Sequence, residues 1–132
     1  MRRSLTRLAA VSTLALLAPA CDFGPDAGKL TWSLATAAQN TGGVAFEVTA
    51  PEAQTIDTVL AACAGCQLFT LRMGDDAVRG VVVGTIGVGD LVTAEVSDVG
   101  SPELYTLRLI EAASTTYQPL SITEFQLTLQ ER

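Results

Sequence analysis

Apolar and polar side chains alternate with a period of two along most of the chain. Phe69, Leu71 and Met73, for example, are separated by Thr70 and Arg72. Successive side chains of a β-strand point to opposite faces, so each alternating segment predicts a strand with one buried, apolar face. The alternating segments are residues 30–35, 44–49, 68–73, 92–96, 105–109 and 125–130.

Three other segments differ from this simple alternation. Residues 81–83 are an unbroken run of valines, which is typical of a strand covered on both faces. Residues 56–62 are less clearly patterned but also favour a strand. The sequence Ser-Pro-Glu at 101–103 is typical of a helix start, yet the alternation over 105–109 predicts a strand directly after it.

Turn signals rich in Gly, Pro, Asn and Asp separate these predicted strands. They lie at residues 40–43, 50–52, 74–76, 87–90 and 100–102. Strands that recur roughly every 10–14 residues between such turns are typical of a sandwich or a barrel. We therefore expect residues 30–132 to form one all-β domain. The expected fold is an antiparallel β-sandwich, Ig-like or cohesin-like in general architecture, with about seven to nine strands.

Residues 1–20 have the features of a secretory signal peptide. Three arginines precede an apolar run over residues 8–18, and an Ala-Pro-Ala sequence ends at residue 20. The run is too short to cross the ~30 Å hydrocarbon core of a bilayer, which needs about 20 residues. The pattern predicts an exported protein from which residues 1–20 are removed.

Cys21 follows this predicted cleavage site directly. Ala20 and Cys21 resemble the end of the lipobox of bacterial lipoproteins, and the chain is similar to small predicted bacterial lipoproteins that carry a compact β-domain. The resemblance implies a lipid on Cys21, with residues 21–29 as a short tether. It also implies a domain anchored to the cell membrane, facing the periplasm or the exterior. Ordinary cleavage at the same bond would instead give a soluble periplasmic or secreted protein.

The remaining cysteines form a CxxC motif. Cys63 and Cys66 are spaced as the first and last residues of a β-turn, close enough for a disulfide. Their pairing leaves Cys21 as the odd thiol, which a lipid would block. We expect a structural disulfide in a hairpin with Ala64 and Gly65 at its tip. The alternative is a membrane-tethered thiol–disulfide oxidoreductase, which requires a helix that begins at the motif.

Composition and charge exclude several classes of function. The chain has no histidine, which rules out His-based catalysis and most catalytic zinc sites. After residue 20, five cationic residues oppose fourteen acidic ones, a net charge of −9. So acidic a domain is not expected to bind nucleic acid or anionic headgroups, and membrane attachment would depend on the lipid.

Few side chains suggest a ligand site. Asp75, Asp76 and Asp90 lie at predicted strand ends and are weak candidates for calcium ligands, since aspartate is also an ordinary turn residue. Trp32 is expected in the core, and Tyr117 is the only aromatic residue expected to be exposed. With no catalytic set and no expected cofactor, the sequence predicts a binding or structural role in the cell envelope. The expected partner is an envelope protein or a glycan.

Overall fold

Two antiparallel sheets pack face to face in residues 25–131, the part of the chain that the computed structural model describes. The predicted signal peptide (residues 1–20) and the predicted lipid site Cys21 lie outside the described residues. The first strand begins at Gly28, inside the predicted tether (21–29). Within the described residues, no helix has the length and hydropathy needed to cross a membrane.

Nine strands and two short 3₁₀ helices make up the described domain. The strands are β1 (Gly28–Thr36), β2 (Thr41–Thr49), β3 (Ile56–Ala61), β4 (Gln67–Arg72), β5 (Ala77–Ile86), β6 (Gly89–Val96), β7 (Thr106–Ser114), β8 (Pro119–Leu120) and β9 (Gln126–Glu131). The 3₁₀ helices are Pro102–Leu104 and Ile122–Glu124. The helix-like start at 101–103 is thus a single 3₁₀ turn, and the predicted strand follows it.

One sheet has four strands in the order β3-β6-β1-β9, and the other has five in the order β4-β5-β2-β7-β8. The predicted all-β antiparallel sandwich is therefore confirmed. Where two strands that are consecutive in the sequence also pair in one sheet, as β4 and β5 do, a tight turn connects them. The other connections cross from one sheet to the other. Sequence neighbours such as β3 and β4 consequently lie on opposite layers.

The core lies between the sheets and follows the predicted alternation. In β2, Val44, Phe46 and Val48 are fully buried, and their neighbours along the strand are partly exposed. Trp32 in β1 is buried, as predicted. Burial of each large apolar side chain stabilises the folded state by about 1.5–3 kcal/mol. This alternation is therefore the main determinant of which faces of the two sheets pack together.

Strands β4 and β5 depart from the prediction. Phe69, Leu71 and Met73 are 61%, 63% and 49% exposed, although their alternation predicts a buried face. Val81 and Val83 are also substantially exposed, so the valine run of β5 is covered on only one face. Paired residues share a face of a sheet, and Phe69 is paired with Val81. The apolar row of β4 therefore lies on the outer surface of the five-stranded sheet.

The two ends of the sandwich differ in charge. Gly28 pairs with Val96 and Leu30 pairs with Glu131, so the described chain begins and finishes at one end, here called the terminal end. Seven acidic residues lie at this end, in the loops or within the first two residues of a strand: Asp26, Glu52, Asp57, Asp75, Asp76, Asp98 and Glu103. At the opposite, distal end the corresponding residues are Asp90 and Glu124.

Candidate functional site

The outer face of the four-stranded sheet is polar except at Leu60 of β3, which is paired with Thr93 and exposed. Thr31 and Thr93 share a hydrogen bond of 2.9 Å between their hydroxyl oxygens, and the Ser33 hydroxyl donates to Asp90 Oδ1 at 2.6 Å. The outward hydroxyls of β1 are therefore satisfied by the neighbouring strand, although Thr31 and Ser33 are themselves buried. This face has the hydrogen-bonded, hydrophilic character of a sheet that faces water.

The outer face of the five-stranded sheet is apolar near its β4 edge. Phe69 and Leu71 of β4 and Val81 and Val83 of β5 project from it, and we call these four residues the apolar strip. Ala45 of β2 is paired with Val81 and extends the strip toward the middle of the sheet. Exposed apolar clusters of this kind mark interaction surfaces more often than isolated exposed residues do.

An ionic row lies beside the apolar strip on the same face. Arg79 Nε donates to Glu47 Oε2 at 2.7 Å, and Arg108 Nη2 lies 3.9 Å from the same oxygen. The hydrogen bond from Arg79, together with the two positive charges, lowers the pKa of Glu47. The row crosses β5, β2 and β7, and Arg79 is paired with Leu71 of the strip. The face therefore combines an apolar surface with fixed, mutually compensated charges.

A shallow depression of about 330 Å³ borders the strip on its β7 side. Its lining includes Ala45, Val81, Glu111, Tyr117 and Pro119. Tyr117 lies in the turn between β7 and β8, where it takes a positive φ of 66°, and it is 91% exposed. The prediction that Tyr117 is exposed is confirmed.

Phe69 is the aromatic residue that the sequence reasoning missed. It was expected in the core, and Tyr117 was expected to be the only exposed aromatic side chain. Alternation within one strand identifies two faces but does not say which face packs inward. The structure decides it through the neighbouring strand: Val82 of β5 is buried, so Val81 faces outward, and Phe69 faces outward because it is paired with Val81.

Cys63 and Cys66 are joined as a disulfide, with their Cα atoms 5.6 Å apart. The Cys66 amide donates to the Cys63 carbonyl at 3.4 Å, and Gly65 supplies the positive φ (72°) that the tight turn requires. The turn packs closely on Gly84 of β5, where a Cβ atom would lie 3.3 Å from Cys66 Sγ. The expected local disulfide is thus present.

The predicted hairpin around Ala64 and Gly65 is wrong. β3 pairs with β6 in one sheet and β4 pairs with β5 in the other, so the Cys63–Cys66 turn passes from sheet to sheet. Strand β4 begins at Gln67, directly after Cys66, and no helix begins at the motif within residues 25–131. The helix N-terminus that activates the first cysteine of thioredoxin-like redox sites is thus not formed at this motif.

Arg72 of β4 connects the two sheets near the terminal end, on the side of the sandwich where β3 and β4 are the edge strands. Its Nη1 donates to the Ile56 carbonyl at 2.8 Å and its Nη2 donates to the Asp57 carbonyl at 2.8 Å, both in β3. The guanidinium group therefore links the edge strand of one sheet to the edge strand of the other. It also satisfies two carbonyls at the edge of β3.

The candidate calcium ligands are not brought together. The Asp75 carbonyl accepts from the Ile56 amide at the terminal end, whereas Asp90 begins β6 at the distal end. Ile56 is paired with Val96, so Asp75 and Asp90 are separated by about 20 Å, roughly six residues of a strand. Asp76 adjoins Asp75 in the same turn. Among residues 25–131 no group of three Asp, Glu, His or Cys side chains could hold a metal ion.

Comparison with solved structures finds a cohesin among similar folds. The chain resembles a non-cellulosomal cohesin from the hyperthermophilic archaeon Archaeoglobus fulgidus, with 14% sequence identity and a TM-score of 0.55. The match covers 74% of this chain and 75% of that one. No family model and no curated protein matches the chain. The likeness shows a shared β-sandwich fold and confirms the cohesin-like general architecture.

Proposed function

We propose that this chain is a non-catalytic binding module of the cell envelope, which binds a protein partner through the outer face of its five-stranded sheet. The apolar strip carries this proposal. Four large apolar side chains exposed on one face are costly to leave in water, and the outer face of the other sheet shows that this chain can make a polar surface.

The arrangement of the face favours a protein over a glycan. The strip lies beside the fixed Arg79–Glu47–Arg108 row, which matches the apolar centre and polar rim of protein–protein interfaces. Glycan sites usually present several exposed aromatic rings, and here Phe69 and Tyr117 are separated by β5 and β2.

The proposed location is the surface of a membrane. A basic leader, a short apolar run and Cys21 after Ala20 support export and lipidation of Cys21, with residues 22–27 as a tether before β1. At ~3.3–3.6 Å per residue the tether reaches about 20 Å, which keeps the domain close to the bilayer. Two or more acyl chains suffice for stable anchoring.

In-cell photo-crosslinking tests the binding face. A photoreactive residue replaces Val81 in the strip, and the matched control replaces Gln126, which is exposed on the other sheet. We expect a discrete heavier protein adduct from position 81 only, and its loss when Leu71→Lys is added. Adducts of equal yield from both positions, or an adduct that Leu71→Lys leaves unchanged, would exclude the strip as the binding face.

Lipid labelling tests the location separately. The wild-type chain should incorporate labelled palmitate, and Cys21→Ser should abolish both the label and the membrane fractionation of the protein. An uncut, unlabelled chain recovered from the cytosol, under conditions that label known lipoproteins, would contradict the proposed anchor without affecting the binding face.

A further inference from the structure

We infer that the free edge of β4 pairs with the same strand of a second copy of this chain, in antiparallel orientation about a two-fold axis at Thr70. The pairing would join the two five-stranded sheets into one sheet of ten strands. It leaves the outer face uncovered, so it goes beyond the proposed function and does not depend on the lipid anchor.

The edge of β4 is available for pairing. Strand β4 pairs with β5 on one side only, and among residues 25–131 the backbone groups on its other side make no hydrogen bond. An exposed edge presents a row of donors and acceptors to any strand of suitable sequence. Proteins usually protect such edges with Lys, Pro, bulges or very short strands, and residues 67–71 (Gln-Leu-Phe-Thr-Leu) contain no charge, Pro or Gly. The one charged residue of β4 is the last, Arg72, and its guanidinium group is bonded to β3.

The other three sheet edges are protected. β8 has only two residues, and the outward row of β9 is polar (Gln126, Thr128 and Gln130), whereas the outward row of β4 is apolar. At the edge of β3, the Arg72 guanidinium occupies the carbonyls of Ile56 and Asp57. The β4 edge is thus the one in the described domain that has both the length and the composition for strand addition.

The sequence of β4 is complementary to itself in this register. With Thr70 opposite its own counterpart, Phe69 faces Leu71 of the second copy and Gln67 faces Met73. The Phe69–Leu71 pair occurs twice about the axis and sets one large apolar side chain against another, and such cross-strand pairs stabilise antiparallel sheets. Phe69 and Leu71 are both more than half exposed in the single chain, so pairing removes apolar surface from water on both copies.

The distribution of charge selects the antiparallel second copy. No acidic residue occurs between Asp57 and Asp75, although the chain after residue 20 carries a net charge of −9. In the proposed register Asp75 and Asp76 lie opposite Gly65 and Ala64 of the second copy, at its distal end. Each acidic terminal end therefore meets an uncharged turn, whereas a parallel arrangement would set the two terminal ends side by side.

Sedimentation velocity of the full chain, extracted in a density-matched non-ionic detergent, tests the inference. Wild type should sediment as a reversible dimer. Thr70→Lys places two ammonium groups opposite each other at the axis and should weaken dimerisation at least about tenfold. The matched control Thr128→Lys makes the same change on the edge strand β9 and should leave the dimer intact. Circular dichroism confirms that both variants remain folded.

Three results would overturn the inference. The first is a wild-type chain that stays monomeric up to about 1 mM, where even an association of about 4 kcal/mol would be visible. The second is a dimer that Thr70→Lys leaves unchanged, and the third is a dimer that Thr128→Lys weakens equally. As a test of register, Thr70→Cys should give a reducible covalent dimer above the wild-type level, and Thr128→Cys should not. A Thr70→Cys variant that sediments as a dimer without cross-linking would overturn the antiparallel register. None of these results affects the adduct expected from Val81.

Discussion

Truncating one phenylalanine on the outer face of the five-stranded sheet and one in the core should destabilise the protein by different amounts. Phe46 of β2 is completely buried, and Phe69 of β4 is 61% exposed. The change Phe→Ala is chemically identical at both positions and lowers the β-propensity of both strands. The difference in destabilisation between the two variants therefore measures the difference in packing.

The expected magnitudes follow from burial. Full burial of a phenylalanine side chain stabilises by about 1.5–3 kcal/mol, so the roughly two-fifths of Phe69 that is covered contributes about 0.6–1.2 kcal/mol. Phe46→Ala also leaves a cavity between the sheets and should cost about 3–5 kcal/mol. We thus expect Phe46→Ala to be about 2–4 kcal/mol more destabilising than Phe69→Ala.

Urea unfolding of the purified protein, followed by circular dichroism, measures both losses. With an m-value of about 2 kcal/mol/M, the midpoint should fall by roughly 2 M for Phe46→Ala and by roughly 0.5 M for Phe69→Ala. Equal losses would mean that Phe69 is as well covered as Phe46. The apolar strip would then not be a free surface of the single chain, and the proposed binding face would fail.

Three further variants test the ionic row, the disulfide and the core. Glu47→Gln should destabilise the protein at neutral pH. Because the folded-state pKa of Glu47 is lowered from 4.5, the difference in urea midpoint between wild type and variant should close as the pH falls below 4.5, and a difference that widens would refute the assignment. Replacing Cys63 and Cys66 by Ser should lower the free energy of unfolding by about 2 kcal/mol or less, and a reductant should lower the Tm of the wild type to that of the double variant. A reductant effect on the double variant would contradict this. Gly80→Ala puts a methyl group 2.6 Å from a buried ring carbon and should cost roughly 1–3 kcal/mol, whereas Gly43→Ala, with 3.8 Å of clearance, should cost less than half as much in the same assay.

The sequence was sufficient for the strands and for most of the core. Alternation through Val44, Phe46 and Val48 specifies one buried face because each of these side chains is large and each neighbour is small or polar. The CxxC disulfide could also be predicted, since four residues of a tight turn hold their Cα atoms at bonding distance whatever the surrounding fold.

The proposed binding face could not be predicted, because it depends on pairings between distant segments. Which face of β4 points outward is decided by its pairing with β5, and Arg72 in the inward row is satisfied only because β3 of the other sheet lies within its reach. The hairpin expected at Ala64 and Gly65 failed for the same reason. β3 pairs with β6, thirty or more residues later in the chain, and no local signal encodes that choice.

The position of Gly28 has a consequence for the paired molecule. β1 begins at the acidic end of the domain, and nine residues of strand separate this end from the other by about 30 Å. In a second copy rotated by 180° about Thr70, the segment that precedes β1 points in the opposite direction. If each chain carries the proposed lipid on Cys21, the acyl groups of the two chains would enter two apposed bilayers. The dimer would then connect two adjacent membranes, whereas copies anchored in the same bilayer would remain monomeric.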